Sequence, residues 1–219
     1  MSHYFDESPA TGSAEATVSV RLPGARFTMR TDRGVFSHGQ LDRGTEVLLR
    51  TVPPPPADGD LLDLGCGAGA IALTMALRSP GATVWALDVN ERARALTVAN
   101  AAANAAANDL ANVRVAAPDD VPAGLRFDAI WSNPPIRIGK TALHGLLSTW
   151  LGRLADGATA ALVVHKHLGS DSLQRWLVAD GWTATRLASS GGFRVLVVSA
   201  GDGRALAPSP SPSPSPTPG

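Results

Sequence analysis

Apolar positions along the chain change period several times, and each change marks an element. Val18, Val20 and Leu22 alternate with polar residues, and so do Phe27 and Met29 after Pro23–Gly24. Alternation over residues 16–30 about a Pro-Gly pair predicts a β-hairpin, with a type II turn in place of the usual primed ones. A helix is expected over 45–51, ended by Pro53–Pro56, which make a stiff connector. Leu61–Leu64 is apolar except at Asp63. It is too short for an amphipathic helix and suits a buried parallel strand. A glycine turn follows, then a helix over 70–77. The buried-strand pattern returns at Thr83–Leu87, Val113–Val115, Phe127–Trp131 and Ala158–Val164. Helices are expected over 91–108, over 142–154 with Leu143, Leu146, Leu147, Trp150 and Leu151 inward, and over 170–177 with Trp176 inward. Asn100, Asn104 and Asn108 read as a polar stripe on the solvent side of the first of these. Trp182–Ala188 and Phe193–Ala200, joined through Ser189–Gly192, form a last pair of strands. The alternation of strands and helices predicts an α/β domain with a doubly wound, mostly parallel sheet and an N-terminal hairpin extension.

Length and composition fit one domain over residues 16–203. The chain has 219 residues, 44% of them hydrophobic, enough for a substantial core. Residues 1–15 are polar and expected to be flexible. Residues 204–219 are rich in Pro and Ser, cannot build a core, and are expected to be disordered. The formal net charge is zero, which argues against broad nonspecific binding of nucleic acid but leaves room for a local basic rim. The single cysteine, Cys66, excludes an internal disulfide, fits a reducing cytoplasm and reads as a small buried residue in the turn. No apolar segment resembles a signal peptide or reaches the roughly 18 residues of a membrane span, so no membrane partner is expected.

Three stretches carry candidate chemistry. The first is Asp63-x-Gly65-x-Gly67-x-Gly69 between a strand and a helix. Such a turn lies at the carboxyl end of a parallel strand, where ligands bind. It is not the dinucleotide pattern, whose third glycine comes one residue later. A carboxylate at Asp63 is expected to face the ligand pocket and suits a cationic or amine-bearing ligand. The second is Asp88, at the end of the next strand and about 20 residues on, where an acid can hold both hydroxyls of a ribose. Asn90 is the better helix cap. The third is Asn133-Pro134-Pro135-Ile136. Two prolines fix the turn and remove donors. The Asn133 side-chain oxygen and the Pro135 carbonyl are then two acceptors for the protons of one exocyclic amine. Arg137 and Lys140 can meet phosphates or serve as plain surface charges. His165, Lys166 and His167 read as a basic rim, because two histidines without a third ligand make a poor metal site.

The glycine turn resembles motif I of the class I S-adenosylmethionine-dependent methyltransferases. TDRGVFSHGQLDRGTEVLL, over residues 31–49, is similar to the segment before motif I in the methyltransferase small-domain family. That family includes guanine-N2 methyltransferases of small-subunit ribosomal RNA. NPPI, over 133–136, resembles motif IV of enzymes that methylate planar amino groups. The resemblance implies a seven-stranded sheet and S-adenosylmethionine held by Asp63, Gly65, Cys66, Gly67, Gly69, Asp88, Val89 and Phe36. It adds Asp119 near the adenine, after an alignment slip of about one residue. Phe36 equally reads as a core aromatic, and Asp42 as a helix-start carboxylate. The resemblance places chemistry at Asn133, Pro134, Pro135 and Ile136 and substrate binding at Arg137, Lys140 and Lys166. It implies a cytoplasmic enzyme, monomer or homodimer, whose partner is ribosomal RNA or the small ribosomal subunit. Two departures stand out. Ile136 occupies a place where many relatives stack Phe or Tyr on the base, and the chain has length for one domain where some relatives have two. A methyltransferase for protein glutamine, one for a small natural product, and a non-catalytic cofactor-binding subunit compete with this reading. Intact Asp63, Asp88 and Asn133 speak against the last.

Overall fold

The computed structural model describes residues 16–32, 39–108 and 110–201. Strands β1 (Ala16–Leu22) and β2 (Ala25–Thr31) pair antiparallel around Pro23–Gly24. Gly24 has φ of 70°, as the third residue of a type II turn requires. Helix α1 (Arg43–Thr51) follows, then β3 (Asp60–Leu64), α2 (Ala70–Arg78), β4 (Thr83–Leu87), α3 (Glu91–Asn108), β5 (Val113–Ala116), β6 (Phe127–Ser132), α4 (Lys140–Leu151), β7 (Leu154–His165), α5 (Ser170–Ala179), β8 (Trp182–Ser190) and β9 (Phe193–Ala200). The hairpin stands apart from a seven-stranded sheet of order β5-β4-β3-β6-β7-β9-β8. The first five of these run parallel, and β9 is antiparallel to both of its neighbours. Chain order reverses between β3 and β6, so their carboxyl ends open the crevice where an open α/β sheet takes its ligand.

Alternate residues of each strand feed opposite cores. Leu61, Val84, Ala129 and Trp131 face one core, with the hairpin, α1, α2 and α3. Leu62, Trp85, Leu87 and Ile130 face the other, with α4 and α5. Asp63 shares the parity of Leu61 and so points under α2.

Helix α4 lies two to three residues earlier than the apolar period over 142–154 implies. It begins at Lys140 and ends at Leu151, because Gly152 follows and Leu154 is already the first residue of β7. The apolar face of α4 continued into the strand without a change that period alone could reveal. Trp176 is only half-buried; Leu173 and Leu177 carry the inward face of α5, and Trp176 stacks on His144 at 3.9 Å between ring centroids.

The asparagine stripe on α3 faces inward, not to solvent. Asn100 and Asn104 are 1% and 5% exposed. Asn100 Oδ1 accepts from Arg30 N at 2.8 Å, and its Nδ2 donates to the Arg30 and Ala68 carbonyls at 2.9 Å each. Asn104 Oδ1 accepts from Thr28 N at 3.2 Å, and its Nδ2 donates to Thr28 O at 2.8 Å. The four-residue spacing lets two side-chain amides meet two alternate residues of β2, as a neighbouring strand would. The hairpin is fixed this way while Phe27 and Met29 fill the core below it. Asn100→Ala leaves buried backbone groups of Arg30 and Ala68 without partners. It is expected to cost about 3 kcal/mol and to lower the Tm by about 10 °C, read by thermal denaturation.

Candidate active site

The site forms where three local structures converge. The glycine turn leaves β3 with Gly65 and Cys66 both donating their N–H groups to Leu87 O at 2.8 Å, which ties the ends of β3 and β4 together. Gly65 has φ of 77°, and a Cβ there would meet nothing within 4 Å, so open space lies against its backbone. Gly69 serves a different purpose. A Cβ there would come within 2.8 Å of Thr97 Cγ2, so this glycine lets α3 pack against the turn. Gly69 starts α2 and borders none of the cavities described below.

Two carboxylates back the turn. Asp63 is fully buried; its Oδ2 accepts from Ala72 N at 2.9 Å, while Oδ1 has no partner among the described residues. Burial, with the nearby Asp88 adding, pushes its pKa from 3.8 up to about 8. Asp88 Oδ2 accepts from Gly67 N at 3.0 Å and Oδ1 from Asn90 N at 2.9 Å. Burial raises its pKa too. Asn90 caps α3, its Oδ1 accepting from Arg92 N at 2.9 Å. The buried Cys66 thiol is pushed up by burial and then by Asp63 and Asp88, and it lies 3.5 Å from Thr97 Oγ1. A thiol held protonated is a poor nucleophile.

Residue 133 stands directly after β6, across the switch point from Gly65, where Ser132 Oγ donates to Leu64 O at 2.6 Å. The rigid Pro134–Pro135 turn leads into a short 3-10 turn over Ile136–Ile138. The Asn133 Nδ2 donates to Asp42 Oδ1 at 2.7 Å and to Thr45 Oγ1 at 3.1 Å. Both amide protons are thereby spent, and Asn133 Oδ1 keeps its acceptor capacity. The Pro135 carbonyl accepts from Ile138 N at 3.2 Å, which leaves one of its two lone pairs.

Asn133 borders three cavities at once. One of about 60 Å³ runs over the turn beside Gly65, Cys66 and Gly67, under Met29, Thr31, Asp42 and Thr45. A second of about 60 Å³ lies on the other side of Gly65 against Leu87, Asp88, Val89, Pro118 and Trp150. The third, about 250 Å³, is mainly apolar and is walled by Pro134, Pro135, Ile136, Val164, His165 and Phe193, with Arg137 at its border. Two cradles meeting a wide apolar slot at one asparagine can present one ligand's reactive group to another's amine.

The other expected residues fall as follows. Asp63 lies behind the turn and lines none of these cavities. Asp119 is exposed in the 3-10 turn Pro118–Asp120, and its neighbour Pro118 touches the ligand space instead. Lys140 is exposed and borders a separate cavity of about 40 Å³ between α4 and α5. Lys166 is exposed on the 3-10 turn after β7. Phe36 lies outside the described residues. Among the described residues no cluster of three His, Cys, Asp or Glu side chains could hold a metal. No helix is long and apolar enough to cross a membrane.

Sequence reasoning missed Phe193 and Thr45. Phe193 enters the wide cavity from β9, held edge-on by His165 at 4.9 Å between ring centroids. Gly44 makes room for it, since a Cβ there would come within 2.8 Å of the ring. The only sign of this in the sequence is an aromatic directly after a Gly-Gly turn, about 60 residues from the Asn-Pro-Pro motif it faces.

Comparison with known proteins bears on the family and the fold. The sequence model of the methyltransferase small domain matches residues 26–197. YbxB, an uncharacterized protein of Bacillus subtilis strain 168, is 35% identical over 173 residues, covering 78% of this chain and 84% of its own. Ribosomal RNA small subunit methyltransferase C of Vibrio vulnificus is 38% identical over 138 residues, covering 62% of this chain and 38% of its own. The chain thus spans well under half of that relative's length. Among solved structures, the T. thermophilus 16S rRNA N2 G1207 methyltransferase, in complex with AdoMet and guanosine, superposes with a TM-score of 0.66 at 24% identity, over 86% of this chain and 51% of that one. At that identity the likeness concerns the fold. On the match of its sequence over residues 26–197, the chain belongs to the methyltransferase small domain family.

Proposed function

We propose that the protein is an S-adenosylmethionine-dependent N-methyltransferase acting on an exocyclic amine of a base, guanine N2 of 16S ribosomal RNA. The observation that carries this reading is Asn133, whose amide protons are spent on Asp42 and Thr45 and whose oxygen borders all three cavities.

The residues present fit the cofactor. Gly65 leaves its backbone open to the cavities on both sides of it, and Asp88 borders one of them, where a ribose would be held. Gly65, Cys66, Gly67 and Val89 would line its path. When bound it supplies an electrophilic methyl group. The protein's own part is positioning. Asn133 Oδ1 and the Pro135 carbonyl take the two amine protons and direct the nitrogen lone pair. Both acceptors also stabilise positive charge as it grows on that nitrogen. Ile136 and Phe193 bound a slot that suits a flat base, so Phe193 supplies the aromatic face that Ile136 lacks. Arg137 and Lys166 give a modest basic rim for phosphates. A base in a paired region must leave its stack first, at a cost of a few kcal/mol. The reading carries with it a cytoplasmic enzyme, monomer or homodimer, that meets the small ribosomal subunit.

The testing experiment is transfer of a tritiated methyl group to small ribosomal subunits, followed by nucleoside analysis. Label in N2-methylguanosine supports the reading, and label in protein overturns it. Asp88→Ala removes the acceptor of two hydroxyls and loosens Gly67 as well. It is expected to weaken S-adenosylmethionine binding by about 1–3 kcal/mol in calorimetry, whereas equal affinity in both proteins would refute the assignment.

A further inference from the structure

We infer that Asp42 is a positioning residue that sets which way the Asn133 amide faces, an inference that rests on the proposed role of Asn133. A side-chain amide has two faces of similar shape and opposite hydrogen-bonding character. Turned one way, Asn133 presents an acceptor to an incoming amine; turned the other way, it presents two donors and repels it. Nothing in the Asn-Pro-Pro turn chooses between them, because prolines offer no donors. The choice is made from α1, in a segment 91 residues earlier in the chain.

The geometry there leaves one solution. Asp42 Oδ1 lies 2.7 Å from Asn133 Nδ2 and also accepts from Thr45 N at 2.8 Å. A carboxylate accepts only, so it requires the NH₂ group on its side. Thr45 Oγ1, one turn on, takes the second proton at 3.1 Å. The Thr45 side chain is buried, so this contact competes little with water. The same oxygen of Asp42 therefore starts α1 and orients the amide. Placement of the helix and orientation of the acceptor are one event. Asp42 also borders both the cavity over the glycine turn and the wide slot, so the pair forms part of the wall between them.

Two substitutions separate capping from orienting. Asp42→Ser keeps a helix cap but is too short to reach Asn133. Asp42→Asn keeps both cap and reach, since its own oxygen can accept from Asn133. With methyl transfer to small subunits as readout, Asp42→Ser is expected to lower kcat by about 10–100-fold, with KM and cofactor affinity within about twofold of wild type. Asp42→Asn is expected to recover kcat to within about threefold. A readout without turnover is the side-chain amide pair of Asn133 in ¹⁵N-labelled, ligand-free protein. Both protons should be protected from exchange in wild type and in Asp42→Asn, and should exchange rapidly in Asp42→Ser at unchanged Tm. If the Asn133 pair stays protected in Asp42→Ser, or kcat does not fall there, the inference is wrong. If wild type methylates nothing yet its amide pair loses protection in Asp42→Ser, the positioning holds and the proposed function fails.

Discussion

Asn133→Ala is expected to lower turnover by about 10²–10³-fold while leaving cofactor affinity unchanged, as befits the loss of one hydrogen bond made chiefly in the transition state. The amine nitrogen carries little charge at first, gains positive charge as its bond to the methyl group forms, and sheds that charge with a proton to solvent. An acceptor oxygen within reach therefore gains strength along the reaction, and its removal is felt in kcat. The Pro135 carbonyl remains, which sets the lower bound on what is left. The variant keeps the fold, because Asp42 continues to cap α1 through Thr45 N. Single-turnover transfer to small subunits, beside calorimetric titration with S-adenosylmethionine, measures the two quantities separately. Unchanged turnover would remove Asn133 from the mechanism.

A second large effect is expected in the response to pH. The pKa of Asp63 rises from 3.8 to about 8 on folding, because burial outweighs its bond to Ala72 N. Between those values the folded chain holds a proton that the unfolded chain has released. Stability contributed by this group therefore falls as pH rises toward the folded pKa, the reverse of an ion-paired carboxylate. Asp63→Asn removes the titration and keeps the oxygen for Ala72. From about pH 5 to about pH 8 the variant should gain on wild type by about 3 kcal/mol, read from paired thermal melts. A constant difference between the two would refute this.

What could be read from the chain was what is local. Gly65, Gly67 and Gly69 announced a turn because strand, turn and helix lie within about 20 residues. Asp88 and Asn133 were found because each ends a short buried strand. Contacts between distant elements left little trace. Asn100 and Asn104 look like any polar helix face until a hairpin 70 and 76 residues away is laid against them. Phe193 carries no mark of the cavity it enters. Leu154 continues the apolar repeat of α4 although it belongs to β7, because both elements bury against the same core. Asp42 was legible as a helix start and illegible as a partner of Asn133, since one oxygen does both.

The amides of α3 also bear on how this protein behaves in a crowded solution. A two-stranded ribbon leaves an outer strand whose backbone donors and acceptors can recruit a strand from another molecule. On β2 the N–H and C=O of both Thr28 and Arg30 are already engaged by Asn104 and Asn100. A helix thereby closes an edge that no further strand among the described residues covers. Truncating both amides would do more than loosen the hairpin, because it would turn a sealed border into a template for self-association.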